Sequence, residues 1–104
     1  MTEDNKRRTG GQQHHLVAGL AHSLGEVARR HRVAGNLDRY QLAERLGQRY
    51  TSVAALEKGY HQWTADQLVR VARALRMQPS QLLNEALTDL ERQERMAGEP
   101  RPST

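Results

Sequence analysis

The sequence predicts an all-α domain of five helices, preceded by a loose arm and ending in a lengthened last helix. Three observations carry that expectation. Apolar residues recur at spacings of three and four from Leu16 to Leu90, short breaks containing Gly, Asn or Pro divide the pattern, and no segment alternates apolar with polar as a strand does. The chain has 104 residues, no Phe and one Trp, so a single core has to be built from Leu, Val and Ala, which suits helix packing.

Residues 1–13 lack apolar periodicity and carry a glycine pair, so they are expected to form a flexible basic arm bearing Lys6, Arg7 and Arg8. From His14 the pattern turns helical, with Leu16, Leu20, Leu24, Val27, Ala28 and His31 on one stripe. Gly19 and Gly25 weaken this stretch, leaving one long helix or two shorter ones open, and Gly35-Asn36 ends it. Asp38 with Gln41 forms a capping box for the second helix, whose Leu42, Ala43 and Leu46 face inward until Gly47 stops it. A third helix spans roughly 50–58, with Val53 and Leu56 inward, and stops at Gly59. Thr64 and Gln67 repeat the capping pattern and open a fourth, with Leu68, Val71, Ala72 and Leu75 on one stripe. Pro79 suits the first turn of a fifth helix that continues through Leu82, Leu83, Ala86, Leu87 and Leu90, before a Gly- and Pro-rich tail. The expected organisation is an arm at 1–13, a helical domain at 14–83 with a two-helix motif at 38–58, and an extension with a loose tail at 84–104.

Charge narrows the class of partner. The chain carries a net +4, and residues 24–78 hold ten basic against five acidic side chains, whereas residues 79–104 hold three against five. A positive middle with a mildly acidic end favours a localised anion-binding face. The absence of cysteine excludes disulfides and thiolate metal sites and fits a cytoplasmic protein. The longest apolar run, LVAGLA at 16–21, is far below a membrane span, and the early basic trio precedes polar residues, unlike a secretory signal. His14, His15 and His22 lack the spacing and companions of a metal site, and no Ser, His and acid arrangement stands out. Neither a metal, a cofactor nor a catalytic centre is expected.

The informative stretch is residues 37–59, LDRYQLAERLGQRYTSVAALEKG. Two short helices meet at a tight turn on Gly47, with small Ala43 at their crossing and Leu42, Leu46, Val53 and Leu56 filling the angle. That spacing makes the third helix project, free to lie in a groove. With Val53 and Leu56 inward at 100° per residue, Thr51, Ala54, Ala55 and Lys58 point outward and Tyr50 stands at the edge.

The segment from Leu24 to Leu83 resembles the helix-turn-helix domain of Cro and lambda-type phage repressors, the XRE family. LAERLG at 42–47, Val53, LEKG at 56–59, LVRVARAL at 68–75 and Leu82-Leu83 carry the resemblance. It implies a lambda-repressor-like fold and DNA binding through the third helix. By the same resemblance Arg49, Tyr50, Thr51, Ala54 and Ala55 are the candidate base readers, an Arg pairing bidentately with guanine and the methyl groups of Thr or Ala meeting thymine. Arg39 matches a phosphate-touching position, Ser52, Lys58, Tyr60 and His61 lie near further phosphates, and Arg32 and Glu57 match an ion pair between the first and third helices. The sequence departs from the family pattern in four places. Arg39 replaces the usual Gln, Gln48 an apolar turn residue, Arg49 the usual Ser or Thr cap, and Trp63 a common Pro. Arg70, Arg73 and Arg76 are read as solvated, Tyr50 equally as a core-edge packer, and His31 as a buried, hydrogen-bonded side chain.

The expected function is a dimeric repressor on a double-stranded, palindromic operator, cytoplasmic and nucleoid-associated. An antitoxin binding a toxin through its tail while regulating its own operon, or an interaction module whose motif no longer reads DNA, are alternatives; an enzyme is the weakest reading. Apolar residues beyond the family domain, Leu16, Val17 and Leu20 at one end and Ala86, Leu87 and Leu90 at the other, point to dimerisation, the latter set being preferred. The competing reading packs the two terminal segments on each other within one chain.

Overall fold

Asp38 and Thr64 start two helices in the same way. Each side chain accepts the backbone N–H of the residue three positions on, while Gln41 and Gln67 return the bond to the cap's own N–H at 2.8 Å. These caps are seen in a computed structural model that describes residues 19–98. The basic arm at 1–13, Leu16, Val17 and the tail after Gly98 lie outside the described residues. Five helices follow one another there: α1 (19–34), α2 (Arg39–Leu46), α3 (Tyr50–Lys58), α4 (Ala65–Ala74) and α5 (Pro79–Gly98), with no strand among the described residues. The arrangement is all-α and lambda-repressor-like.

Helix ends follow from local bonds. Asn36, at φ 59°, closes α1 with Leu37 N–H donating to Arg32 O, and Arg76, also at φ 59°, closes α4 with Met77 N–H donating to Ala72 O. Asn visits this left-handed region readily; Arg does so at a cost of about 1–2 kcal/mol. Arg45 at the end of α2 reaches the last turn of α4 and donates to Ala74 O at 2.7 Å, satisfying a carbonyl that the helix leaves open.

The core gathers Leu24, Val27 and Ala28 of α1, Leu42, Ala43 and Leu46 of α2, Val53 and Leu56 of α3, Val71 and Ala72 of α4, and Leu82 and Ala86 of α5. Leu20, Trp63, Leu68 and Leu75 close its margin. The first helix is continuous over its described length, and its glycine at position 25 is a contact point. A Cβ there would stand 2.3 Å from Glu57 O and 2.4 Å from Leu56 O, so only Gly lets α1 and α3 approach this closely. Gly59 makes the reciprocal approach, its Cβ position lying 2.6 Å from His22 Cα, in a left-handed conformation that also ends α3.

Two expectations are corrected. Ala86 is fully buried in the chain's own core and offers no surface to a second copy, because α5 turns the side that carries Leu82 and Ala86 inward, against α4. His31 lies at the rim: it is only half-buried, and its Nε2 meets Glu85 Oε1 at 2.7 Å across the α1–α5 seam. The stripe of α1 is wider than its core-facing part.

Candidate nucleic-acid interface

Helix α3 is short, nine residues, and its two sides differ sharply. Val53, Leu56 and Glu57 are buried, Ala54 and Ala55 half-buried, and Tyr50, Thr51, Ser52 and Lys58 exposed. The helix begins at Arg49, which takes the extended cap conformation and makes no capping bond with its side chain. Its guanidinium is therefore left for other partners. Neither Arg49 nor Lys58 has a carboxylate partner among the described residues, so both ends of the exposed face carry uncompensated positive charge.

Behind that face sits a charge cluster. Arg32 of α1 grips the Glu57 carboxylate with two bonds, Nε to Oε2 at 2.6 Å and Nη2 to Oε1 at 3.1 Å, and its Nη1 donates to Leu37 O. The Glu57 side chain is 2% exposed, and Arg39 of α2 supplies a second cation through Nε to Oε1 at 3.0 Å. Three helices are thus tied at one buried carboxylate, which fixes the direction in which α3 projects. Arg39 is held charged beyond the ordinary arginine value, first by the Tyr50 hydroxyl beside it and then by Glu57. The sequence places Arg39 at a phosphate; the structure turns its Nε inward to Glu57 and leaves the rest of the guanidinium at the Tyr50 side.

Tyr50 is neither buried nor free. Its ring centroid lies 4.4 Å from that of Tyr40 at an interplanar angle of 34°, with the Arg39 guanidinium carbon 6.0 Å away. At the other end of α3, Lys58 Nζ lies 5.9 Å from the Tyr60 ring centroid. Thr51, Ser52, Ala55 and His61 meet Gln48 and Gln67 around an open groove of about 330 Å³ between α3 and the start of α4. Gln48 therefore lines this groove where the family pattern has an apolar residue. Trp63 donates its indole N–H to Leu56 O at 3.1 Å, a second bond to a carbonyl near the end of α3 that also accepts the N–H of Gly59 at 3.2 Å.

Tyr40, Gln48 and Gln67 are absent from the residues the sequence singles out for this face. All three enter through contacts between helices, for which a single sequence carries no local signal. Arg70 pairs with Asp66 within α4 and takes no part in the face.

The family model described as a helix-turn-helix matches residues 29–82. Among solved structures the chain is similar to the clp gene regulator ClgR from Corynebacterium glutamicum, at 24% identity with a TM-score of 0.73 over 79% of this chain and 87% of that one. No curated protein matches the chain. The family match covers more than half of the chain and the whole of the two-helix motif with its buried Glu57 anchor, and on that ground the chain belongs to the XRE-type helix-turn-helix family.

Proposed function

We propose that the chain is a sequence-specific DNA-binding transcriptional regulator, acting as a dimeric repressor on a palindromic operator. The observation that carries this reading is the two-sidedness of α3. Its back is locked into the core and to the Arg32–Glu57–Arg39 cluster, while Thr51, Ser52 and Lys58 lie bare on the other side. With its side chains an α-helix is about 10–12 Å across, a rod that a major groove about 12 Å wide admits. Arg49 reads guanine by a bidentate pair, and Tyr50, Thr51, Ala54 and Ala55 meet neighbouring base edges. Ser52, Lys58, Tyr60, His61 and the Nη groups of Arg39 hold phosphates. One reading helix spans only a few base pairs, so a two-fold pair with half-sites about 34–36 Å apart completes the site.

Selection from random duplex DNA, followed by a salt titration on the selected site, tests the proposal. The slope of log affinity against log salt should be about −0.9 per phosphate neutralised, and Lys58→Ala should flatten it by about one unit on every sequence. Arg49→Ala should cost on the order of 1–3 kcal/mol on the selected site alone. Binding that is absent, or insensitive to salt, refutes the reading.

A further inference from the structure

Tyr40 is a large side chain at this face, outside the core and outside every ion pair among the described residues. It is 69% exposed, yet its ring is seated on Tyr50, ten positions further along and on the next helix. Tyr50 in turn is fixed from behind. The Arg39 guanidinium carbon lies 6.0 Å from its ring centroid, Arg39 Nε is bonded to Glu57 Oε1 at 3.0 Å, and Arg32 holds the same carboxylate from the core side. A continuous set of contacts therefore runs from a buried carboxylate to a surface ring at the first turn of the reading helix.

The chemistry of what this pair presents follows from those contacts. Tyr50 is 36% exposed, so with Arg39 near its ring it still has carbon to offer outward, and Tyr40, tilted 34° against it, widens that apolar surface. Among the groups that base pairs expose in the major groove, the C5-methyl of thymine is the apolar one. We infer that Tyr40 and Tyr50 form one apolar ridge that reads a thymine methyl at the edge of each half-site, with Tyr40 both holding the Tyr50 ring and sharing the contact. This rests on the DNA-reading role proposed above; it adds Tyr40 to the readers and names the group that is read.

Deoxyuridine substitution tests it on the full chain. Each thymine of the selected duplex is replaced singly by deoxyuridine, which pairs identically and lacks only the methyl. At one thymine per half-site the wild-type protein should lose about 3–5-fold in affinity, the worth of one buried methyl-sized group. Tyr40→Ala and Tyr50→Ala should bind the thymine and uracil duplexes equally, Tyr40→Phe should keep the wild-type preference, and the salt slope should stay constant throughout. The inference is overturned if no deoxyuridine weakens the wild-type complex, or if the methyl preference survives both alanine variants. It is also overturned if Tyr40→Phe behaves as Tyr40→Ala and flattens the salt slope, which marks a phosphate contact through the hydroxyl. A wild-type chain that selects no sequence at all fails earlier, at the selection step, and refutes the DNA-reading role itself.

Discussion

Gly25 and Glu57 touch backbone to backbone: a Cβ on Gly25 would stand 2.3 Å from the Glu57 carbonyl oxygen. The residue whose carboxylate anchors two arginines is thus also the point at which α1 bears on α3. Gly25→Ala has to push these helices apart, because the obstacle is main chain and not the end of a flexible side chain. Overpacking of this kind costs typically about 1–3 kcal/mol, and the upper part of that range is expected in thermal or urea unfolding. DNA affinity should fall by more than stability alone explains, since α3 moves with the contact. An alanine variant that melts with the wild type would show that the two helices have slack here.

The three members of the carboxylate cluster should not be equivalent. Removing one partner of a buried pair costs about 3–5 kcal/mol because it strands the other. Glu57→Ala strands two guanidiniums and should be the most damaging substitution. Arg32→Ala leaves the carboxylate with Arg39 and opens the Leu37 carbonyl, so it should follow. Arg39→Ala leaves the two-bond Arg32 grip intact at a more exposed position and should be mildest. Urea midpoints of the three variants check the ranking, and Arg39→Ala proving the worst would contradict it.

Arg49 occupies a helix start without capping it. A Ser, Thr, Asp or Asn there satisfies an open N–H of the first turn and is worth about 0.5–2 kcal/mol over a non-capping residue. Arg49→Ser should therefore raise the melting temperature while weakening binding to the selected site. Such an opposed change in stability and affinity is expected where a residue is retained for contact and not for folding. A variant with unchanged site preference would remove Arg49 from the base readers.

How far the molecule is legible from its sequence tracks the range of the interactions involved. The capping pairs Asp38/Gln41 and Thr64/Gln67 are visible in a string of letters because both partners lie within one turn. Glu57 and Arg32 become visible through the family resemblance, since they are twenty-five residues apart on different helices. The second partner of Glu57, Arg39, and the Tyr40–Tyr50 stack depend on how α2 crosses α3, and no spacing rule reports that angle. Ala86 and His31 show the converse limit. A helical stripe tells which residues share a side, not whether that side meets the chain's own core, a rim or open solvent.

The α1–α5 seam should show its own pH dependence. Glu85 is held below its ordinary value of 4.5, first by His31 and then by Gln81, with Arg30 contributing from α1. A carboxyl depressed in the folded state stabilises it above the unfolded value, and that stabilisation is lost as pH falls through the folded value. Glu85→Gln should thus be less stable than wild type near neutrality, with the gap closing on acidification below about pH 4.5. Both side chains are partly exposed, so solvent screening keeps the gap under about 1 kcal/mol. A gap that widens toward low pH would reverse the assigned sign.

Leu87 is the remaining candidate for self-association on α5. Ala86 is consumed by the core, and Leu90 is partly buried, with its Cδ1 3.3 Å from the Cβ position of Gly19. The two ends of the described chain therefore do meet, and that intramolecular contact accounts for part of the surplus apolar stripe. Leu87 stays 38% exposed on the same helix, one turn from half-buried Leu83. A dimer built here would set two half-buried leucines around an exposed one on each copy, with Glu91 and Arg92 at a solvated rim. Leu87→Glu should yield a folded monomer, because it removes no core contact, whereas Leu90→Glu would also loosen α5 from α1 and confuse the two effects. Sedimentation equilibrium over rising concentration reads the association directly, and operator affinity should fall in the Leu87→Glu variant while its melting temperature stays near wild type. A wild-type chain that remains monomeric at high concentration, both free and on DNA, would exclude α5 as the dimer element.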